Sequence, residues 1–328
     1  MANLNLTIGC WDYDRVQPLM DGRVRPSGID VTFLNMIVEE TFFRMLRNKE
    51  FDVSELSMSS YVVSLFKPDR PFVAIPVFPS RFFRHSCIYV NANAGITKPS
   101  DLIGKRIGTP EYQMTAPVWI RGILDEHYGV PVDSVTYVTG GEESPNRDEK
   151  LKLDLPPNIQ VERIGPDQTL AQMLATGEID ALHTARKPST FDGVTVKRLF
   201  EDFVPVEQAY WRETGIFPIM HVIAIRREVY EANRWVAMNL FQAFRGAQKL
   251  TYEGLQETAA LKGMLPWFNA HVEETFAMMG PDFWPYGVER NRQTLETFLR
   301  YHHGSGLSPR LLSVDEMFAP ETMEEFVI

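Results

Sequence analysis

The densest chemistry in the chain is the run Arg81-Phe82-Phe83-Arg84-His85-Ser86, which sets two guanidinium groups and an imidazole among aromatic rings. A guanidinium fork matches a carboxylate with two parallel hydrogen bonds, so Arg81 and Arg84 are candidates for holding an acidic ligand. In an extended strand Arg81, Phe83 and His85 share one face and Arg84 the other, so both arginines reach one ligand only across a bend or bulge. His85 and His221 are the candidate proton carriers, because an imidazole titrates near neutrality. Glu111, Tyr112 and Gln113 stand just before a helix expected to start at Thr115, where free backbone amides hold anions. His183 and Arg186 follow a strand expected over 179–182, and the carboxyl ends of strands are where α/β folds place ligands. Ser57 and Ser59 stand at another helix start, and Trp11, Tyr13, Phe82 and Phe83 supply flat walls.

A scaffold must bring these scattered positions together, and the hydrophobic pattern describes one. Period-two alternation over 4–10 and the apolar run 29–34 predict strands, with a helix over 40–47 after them. Residues 51–56 read as a short strand feeding a helix over 61–66, and 87–90 as a strand after an extended, proline-punctuated 72–78. A strand at 106–108 enters the loop before the helix from Thr115, which ends before Gly129. Strands follow at 135–138 and 161–164, separated by a polar surface loop over 142–158. Asp167 caps a helix bearing Leu170, Met173 and Leu174, Gly177 ends it, and the strand 179–182 follows. Two successive βα units predict a parallel sheet. Residues 217–225 form a long strand, and helices are expected at 230–250, 255–263, 272–279 and 291–301. Extended crossings near 87–98 and 203–217 divide the chain into one lobe of 1–90 plus 215–328 and an inserted α/β lobe of 91–214.

The length of 328 residues suits two domains, and 33 Lys and Arg against 43 Asp and Glu give a net charge of −10. Such a surface repels phosphate backbones and anionic lipid head groups, which argues against nucleic-acid and membrane partners. No apolar stretch approaches the roughly 20 residues of a membrane span. Two cysteines, Cys10 and Cys87, are too few for a disulfide framework and read as buried thiols. The opening MANLNLTIGCWDYDR has no basic segment before its first acids and reads as a cytoplasmic start. There is no GxSxG elbow, no phosphate-binding GxxxxGK[ST], no GxGxxG and no HExxH or CxxC spacing. His302 and His303 with His271 do not make a metal site, since adjacent helical histidines face apart.

The segments DLIGKRIGTPEYQMT (101–115), LAQMLATGEIDAL (170–182) and FPIMHVIAIRREVYEAN (217–233) resemble the type II periplasmic-binding-protein fold. FDVSELSMSSY (51–61), FVAIPVFPSRFFRHSCIYVN (72–91), PEYQMTAPVWIRGIL (110–124) and TGIFPIMHVIAIRR (214–227) resemble the 4,5-dihydroxyphthalate decarboxylases, an enzyme family on that scaffold. The likeness spans most of 51–233. It implies an α/β, two-lobed clamshell with hinge crossings and a helical C-terminal region. It also implies a carboxy-lyase that converts 4,5-dihydroxyphthalate to protocatechuate and carbon dioxide without a cofactor. Each carboxylate of that substrate is para to a hydroxyl, so deprotonating the hydroxyl drives charge to the carbon that must be protonated. The implied catalytic residues are His85, His221 and Glu111. The implied substrate contacts are Arg81, Arg84, Arg186, Trp11, Ser57, Ser59, Tyr112, Gln113, Thr115 and His183, with Glu111 and Gln113 at the catechol hydroxyls. A divalent ion chelated by the catechol, homo-oligomerisation, a solute receptor for an aromatic acid, and another small-molecule lyase on the same scaffold all remain open at this point.

Overall fold

Alternation along β1 (Leu4–Cys10) buries Leu6, Ile8 and Cys10, and this strand lies inside the first of two sheets. The structure, a computed structural model, describes residues 2–147 and 149–323. The first sheet adds β2 (Ile29–Asn35), β3 (Val53–Ser57), β4 (Phe72–Ile75) and, much later, β11 (His221–Arg226). Its order is β2-β1-β3-β11-β4, with β11 antiparallel to both neighbours. The second sheet contains β5 (Ile88–Asn91), β6 (Arg106–Thr109), β7 (Thr136–Thr139), β8 (Gln160–Arg163), β9 (Ala181–His183) and β10 (Val196–Arg198), in the order β10-β5-β9-β6-β7-β8. Both sheets share one plan: the strand that arrives from the other sheet, β5 or β11, inserts antiparallel into a parallel set. This is a mixed α/β, periplasmic-binding-protein-like architecture.

The helices are α1 (Gln17–Met20), α2 (Val38–Asn48), α3 (Met58–Ser64), α4 (Thr115–Tyr128), α5 (Leu170–Thr176), α6 (Phe203–Thr214), α7 (Arg227–Ala232), α8 (Trp235–Leu255), α9 (Phe268–Met279) and α10 (Arg292–Gly304). None of the described helices is long and apolar enough to cross a membrane. α4 is buried almost all round and packs on α10 at Gly122, where a Cβ would fall about 2.0 Å from the Tyr301 ring. The absence of a side chain there is what lets the two helices approach.

Four local expectations need correction. Residues 203–214 are helical, not extended: Pro205 falls in the first turn of α6, where its missing N–H has no intrahelical acceptor to lose. Residues 256–263 are not helical, and Leu261 among them and Met264 just after face solvent, so no apolar face was available to stabilise a helix. The cap of α5 is Thr169, whose hydroxyl accepts from Gln172 N, instead of Asp167. The excursion 142–158 is irregular as expected, yet Glu142, Lys150 and Leu151 are buried.

The first crossing between the sheets lies between β4 and β5, at 76–87 and not near 87–98, and it runs side by side with the return segment just before β11. Phe82 N donates to Pro218 O at 3.1 Å, Met220 N donates to Ser80 O at 2.8 Å, and Arg81 bridges Ile219 in antiparallel register.

Candidate active site

Glu55 is a carboxylate in the middle of the fully buried strand β3, and it must find donors or fold at great cost. It finds four. The antiparallel pairing sets Ile223 opposite Glu55 and His221 opposite Ser57, so His221 is the diagonal neighbour of Glu55 on one sheet face. His221 Nδ1 lies 2.6 Å from Glu55 Oε1, and the Tyr13 hydroxyl donates to the same oxygen at 2.7 Å. Trp11 N at 3.2 Å and the Cys10 thiol at 3.6 Å donate to Oε2. Burial alone would push the Glu55 carboxyl up, but His221 and these donors outweigh it and hold it below the usual carboxylate range. The Tyr13 phenol is driven far up by burial and by Glu55, as is the Cys10 thiol, so both stay protonated donors. The edge of Phe42 packs against the imidazole at 4.9 Å between ring centres. With Nδ1 engaged, His221 has Nε2 left for chemistry, and the residue lines a cavity of about 320 Å³.

Arg84 stands on another wall of that cavity. Its guanidinium is buried, yet its hydrogen-bond acceptors are two sulfurs, Met220 Sδ at 3.1 Å and Cys87 Sγ at 3.5 Å. Among the described residues no carboxylate lies at ion-pair distance from it, so this charge is available to an anion. The start of α4 supplies a third wall through Met114, Thr115 and Ala116. Met114 rather than Thr115 is the cap residue, and the amides of Thr115 and Ala116 meet no acceptor among the described residues. The Thr115 hydroxyl instead lies 2.8 Å from Ser57 Oγ and accepts from Ser59 N, which stitches α4 to the start of α3.

The remaining charges come from the excursion after β7 and from the loop after β9. Arg147 donates to Glu111 Oε1 at 3.0 Å, and Lys150 pairs with the same oxygen. Gln113 Nε2 at 2.8 Å and Lys150 N at 3.1 Å occupy Glu111 Oε2. Burial lowers the Lys150 ammonium below its ordinary value even though Glu111 opposes the shift. Arg186 reaches across the cavity mouth to Glu39 of α2 at 2.6 Å. Four cations thus line the cavity, and two carboxylates, Glu39 and Glu111, meet three of them.

Of the residues singled out from the sequence, Trp11, Tyr13, Ser57, Arg84, Thr115, Arg186 and His221 line this cavity together. The others are elsewhere. Arg81 is turned inward, donating to Phe217 O at 3.0 Å, Pro285 O at 2.7 Å and Asn291 Oδ1, and burial pushes it down to about 9. His85 is enclosed by the rings of Tyr128, Phe200 and Tyr210 with neither nitrogen bonded, and burial pushes it down to about 4. His183 is likewise buried without a partner among the described residues, and burial pushes it down to about 3. Glu111 is buried beneath its four donors, and Gln113 is spent between Glu111 and Ser60. Tyr112 donates to Ser305 O at 2.9 Å, and the Ser59 hydroxyl is buried and unbonded. The residues that sequence reasoning missed are Glu55, Arg147, Lys150 and Phe42. Glu55 carried a signal, since a lone acid inside a buried strand must be paired. Arg147 and Lys150 carried none, because nothing in a polar excursion marks which charges fold inward.

No family model matches the chain. A 4,5-dihydroxyphthalate decarboxylase of Comamonas testosteroni is 41% identical over 330 residues, covering all of both chains. Another from Pseudomonas putida is 47% identical over 191 residues, 58% of this chain and 74% of that one. Among solved structures, a periplasmic sulfonate-binding protein of Methylobacillus flagellatus KT aligns with a TM-score of 0.51 at 14% identity over 98% of this chain and 93% of that one. The ligand-binding component of an ABC-type import system from Staphylococcus aureus aligns with a TM-score of 0.52 at 10% identity over 98% of both. At such identities the likeness speaks for the fold alone.

Proposed function

Because the chain belongs to the 4,5-dihydroxyphthalate decarboxylase family, we propose that it is a carboxy-lyase converting 4,5-dihydroxyphthalate to protocatechuate and carbon dioxide. One observation carries the reading at the level of this chain: an imidazole oriented by a buried carboxylate opens onto a ring-sized cavity lined by four cations. His221 Nε2 takes the proton of the hydroxyl para to the departing carboxylate, and Glu55 stabilises the imidazolium through Nδ1. Arg84, Arg147, Arg186 and the first amides of α4 hold the two carboxylates, while Trp11 and Phe42 flank the ring. The volume is at the small end of ligand pockets, roughly 300–1,000 Å³, as a single ring requires.

The electrons come from the substrate's own phenolate, so the reaction runs without a cofactor. The protein acts in the cytoplasm, where its two unpaired thiols suit a reducing compartment. Purified protein incubated with the diacid, with and without chelator, tests the proposal by release of carbon dioxide and formation of protocatechuate. Turnover unaffected by chelator is expected. Tight binding of the diacid without turnover would instead identify a solute receptor, and loss of turnover on chelation would add a metal to the reaction.

A further inference from the structure

The substrate dianion and one proton become carbon dioxide and the protocatechuate monoanion. The proton that His221 removes from the hydroxyl returns to the same oxygen, so the ring carbon needs a second donor. Glu142 lies just past β7 in a side chamber of about 200 Å³. That chamber shares Glu39, Met114, Arg147, Ala185 and Arg186 with the main cavity, so the two adjoin. The Glu142 residue is 8% exposed; one carboxyl oxygen accepts from Thr184 Oγ1, and the other is buried with no partner among the described residues. Its backbone is fixed, because Gly141 O and Glu142 O accept from Leu170 N at 2.9 Å and Ala171 N at 3.0 Å at the start of α5. An ionised carboxylate with a bare buried oxygen is costly, whereas the acid form is not.

Resting on the reading above, we propose that Glu142 is a catalytic acid: it meets the ring carbon bearing the departing carboxylate and gives that carbon its proton. The phenolate electron pair moves through the ring to form the new C–H bond with the Glu142 proton. The bond to the carboxylate then breaks, carbon dioxide leaves, and the bonding pair restores the aromatic ring and the phenolate. His221 returns its proton to that oxygen, and Glu142 recovers one from water. Burial pushes the Glu142 carboxyl up to about 7 and Glu143 adds to this, while the Thr184 hydroxyl, Arg186 and Arg147 oppose it. Glu39, paired with Arg186, is the remaining acid lining the chamber among the described residues.

Glu142→Gln keeps the shape and the neutral charge of the acid form but has no proton to give. Its KM for 4,5-dihydroxyphthalate should stay within about threefold of wild type while kcat falls roughly 10²- to 10³-fold. The alkaline decline of the wild-type kcat near neutrality should vanish from the residual activity. Thr184→Val removes a hydroxyl that favours the ionised carboxylate, so it should move that decline to higher pH. A kcat for Glu142→Gln within threefold of wild type, or an alkaline limb unmoved by Thr184→Val, overturns the assignment. If Glu142→Gln does not fold, the Thr184→Val profile decides alone. A wild-type protein that never turns over the diacid sinks the decarboxylase reading itself, whereas an active Glu142→Gln beside an inactive His221→Asn sinks this inference only.

Discussion

Replacing Glu55 by Gln asks how much of the reaction depends on the charge behind the imidazole. The carboxylate is wholly buried and 2.6 Å from His221 Nδ1, so it faces the positive charge that His221 gains on accepting a proton. At an effective dielectric near 20, opposite charges about 4 Å apart attract by about 4 kcal/mol. Glutamine retains a neutral hydrogen bond worth about 1 kcal/mol, which leaves a deficit of about 3 kcal/mol. That corresponds to a roughly 10²-fold lower kcat, because the lost attraction exists only after proton transfer. KM should change little, since Arg84 and the start of α4 are untouched. Initial rates of protocatechuate formation against substrate concentration, with a thermal melt to verify folding, give both constants. A folded Glu55→Gln variant whose kcat stays within threefold of wild type would refute the role assigned to this pair.

Other perturbations separate binding from architecture. Arg84→Met removes a buried cation that has only sulfur acceptors, so KM should rise about 10- to 100-fold with kcat little altered, as steady-state kinetics will reveal. Arg81→Met should act the other way, lowering the melting temperature and leaving KM near wild type, because its three acceptors all belong to the protein. His85, at about 4 when folded and near 6.5 when unfolded, contributes stability that is present above pH 6.5 and lost as the pH falls toward 4. His85→Leu should therefore flatten urea-melt stability over that window by up to about 3 kcal/mol and spare kcat. Gly122→Ala forces a methyl group into the Tyr301 ring and should cost about 1–3 kcal/mol in the same melts.

Much of the scaffold was legible because parallel strands and their helices announce themselves by period and by glycine stops. β1, β2, α2 and α4 lie within a few residues of their expected positions. Side-chain direction was less legible. Arg81 and His85 stand beside Arg84 in the chain, but His85–Cys87 form a 3₁₀ turn, so strand alternation does not sort their faces. Arg84 alone of the three reaches the cavity. His221 was recognisable as an ionisable group at a crossing, whereas its partner Glu55 lies 166 positions away and is tied to it only by the β3–β11 register. Thr115, where the helix starts as expected, spends its hydroxyl on Ser57 and Ser59, a long-range contact no local pattern encodes.

The pairing of the two crossings has a mechanical corollary. Arg84 and His221 sit within two residues of a two-ply ribbon made by residues 80–82 and 218–220, whereas Arg147, Lys150 and Arg186 hang from the second sheet's loops. A torsion of that ribbon would swing the latter three as a group while leaving the spacing between Arg84 and the imidazole nearly constant. An incoming diacid held between Arg84 and the imidazole would therefore keep those contacts through such a torsion, while the other three cations changed their distance from it.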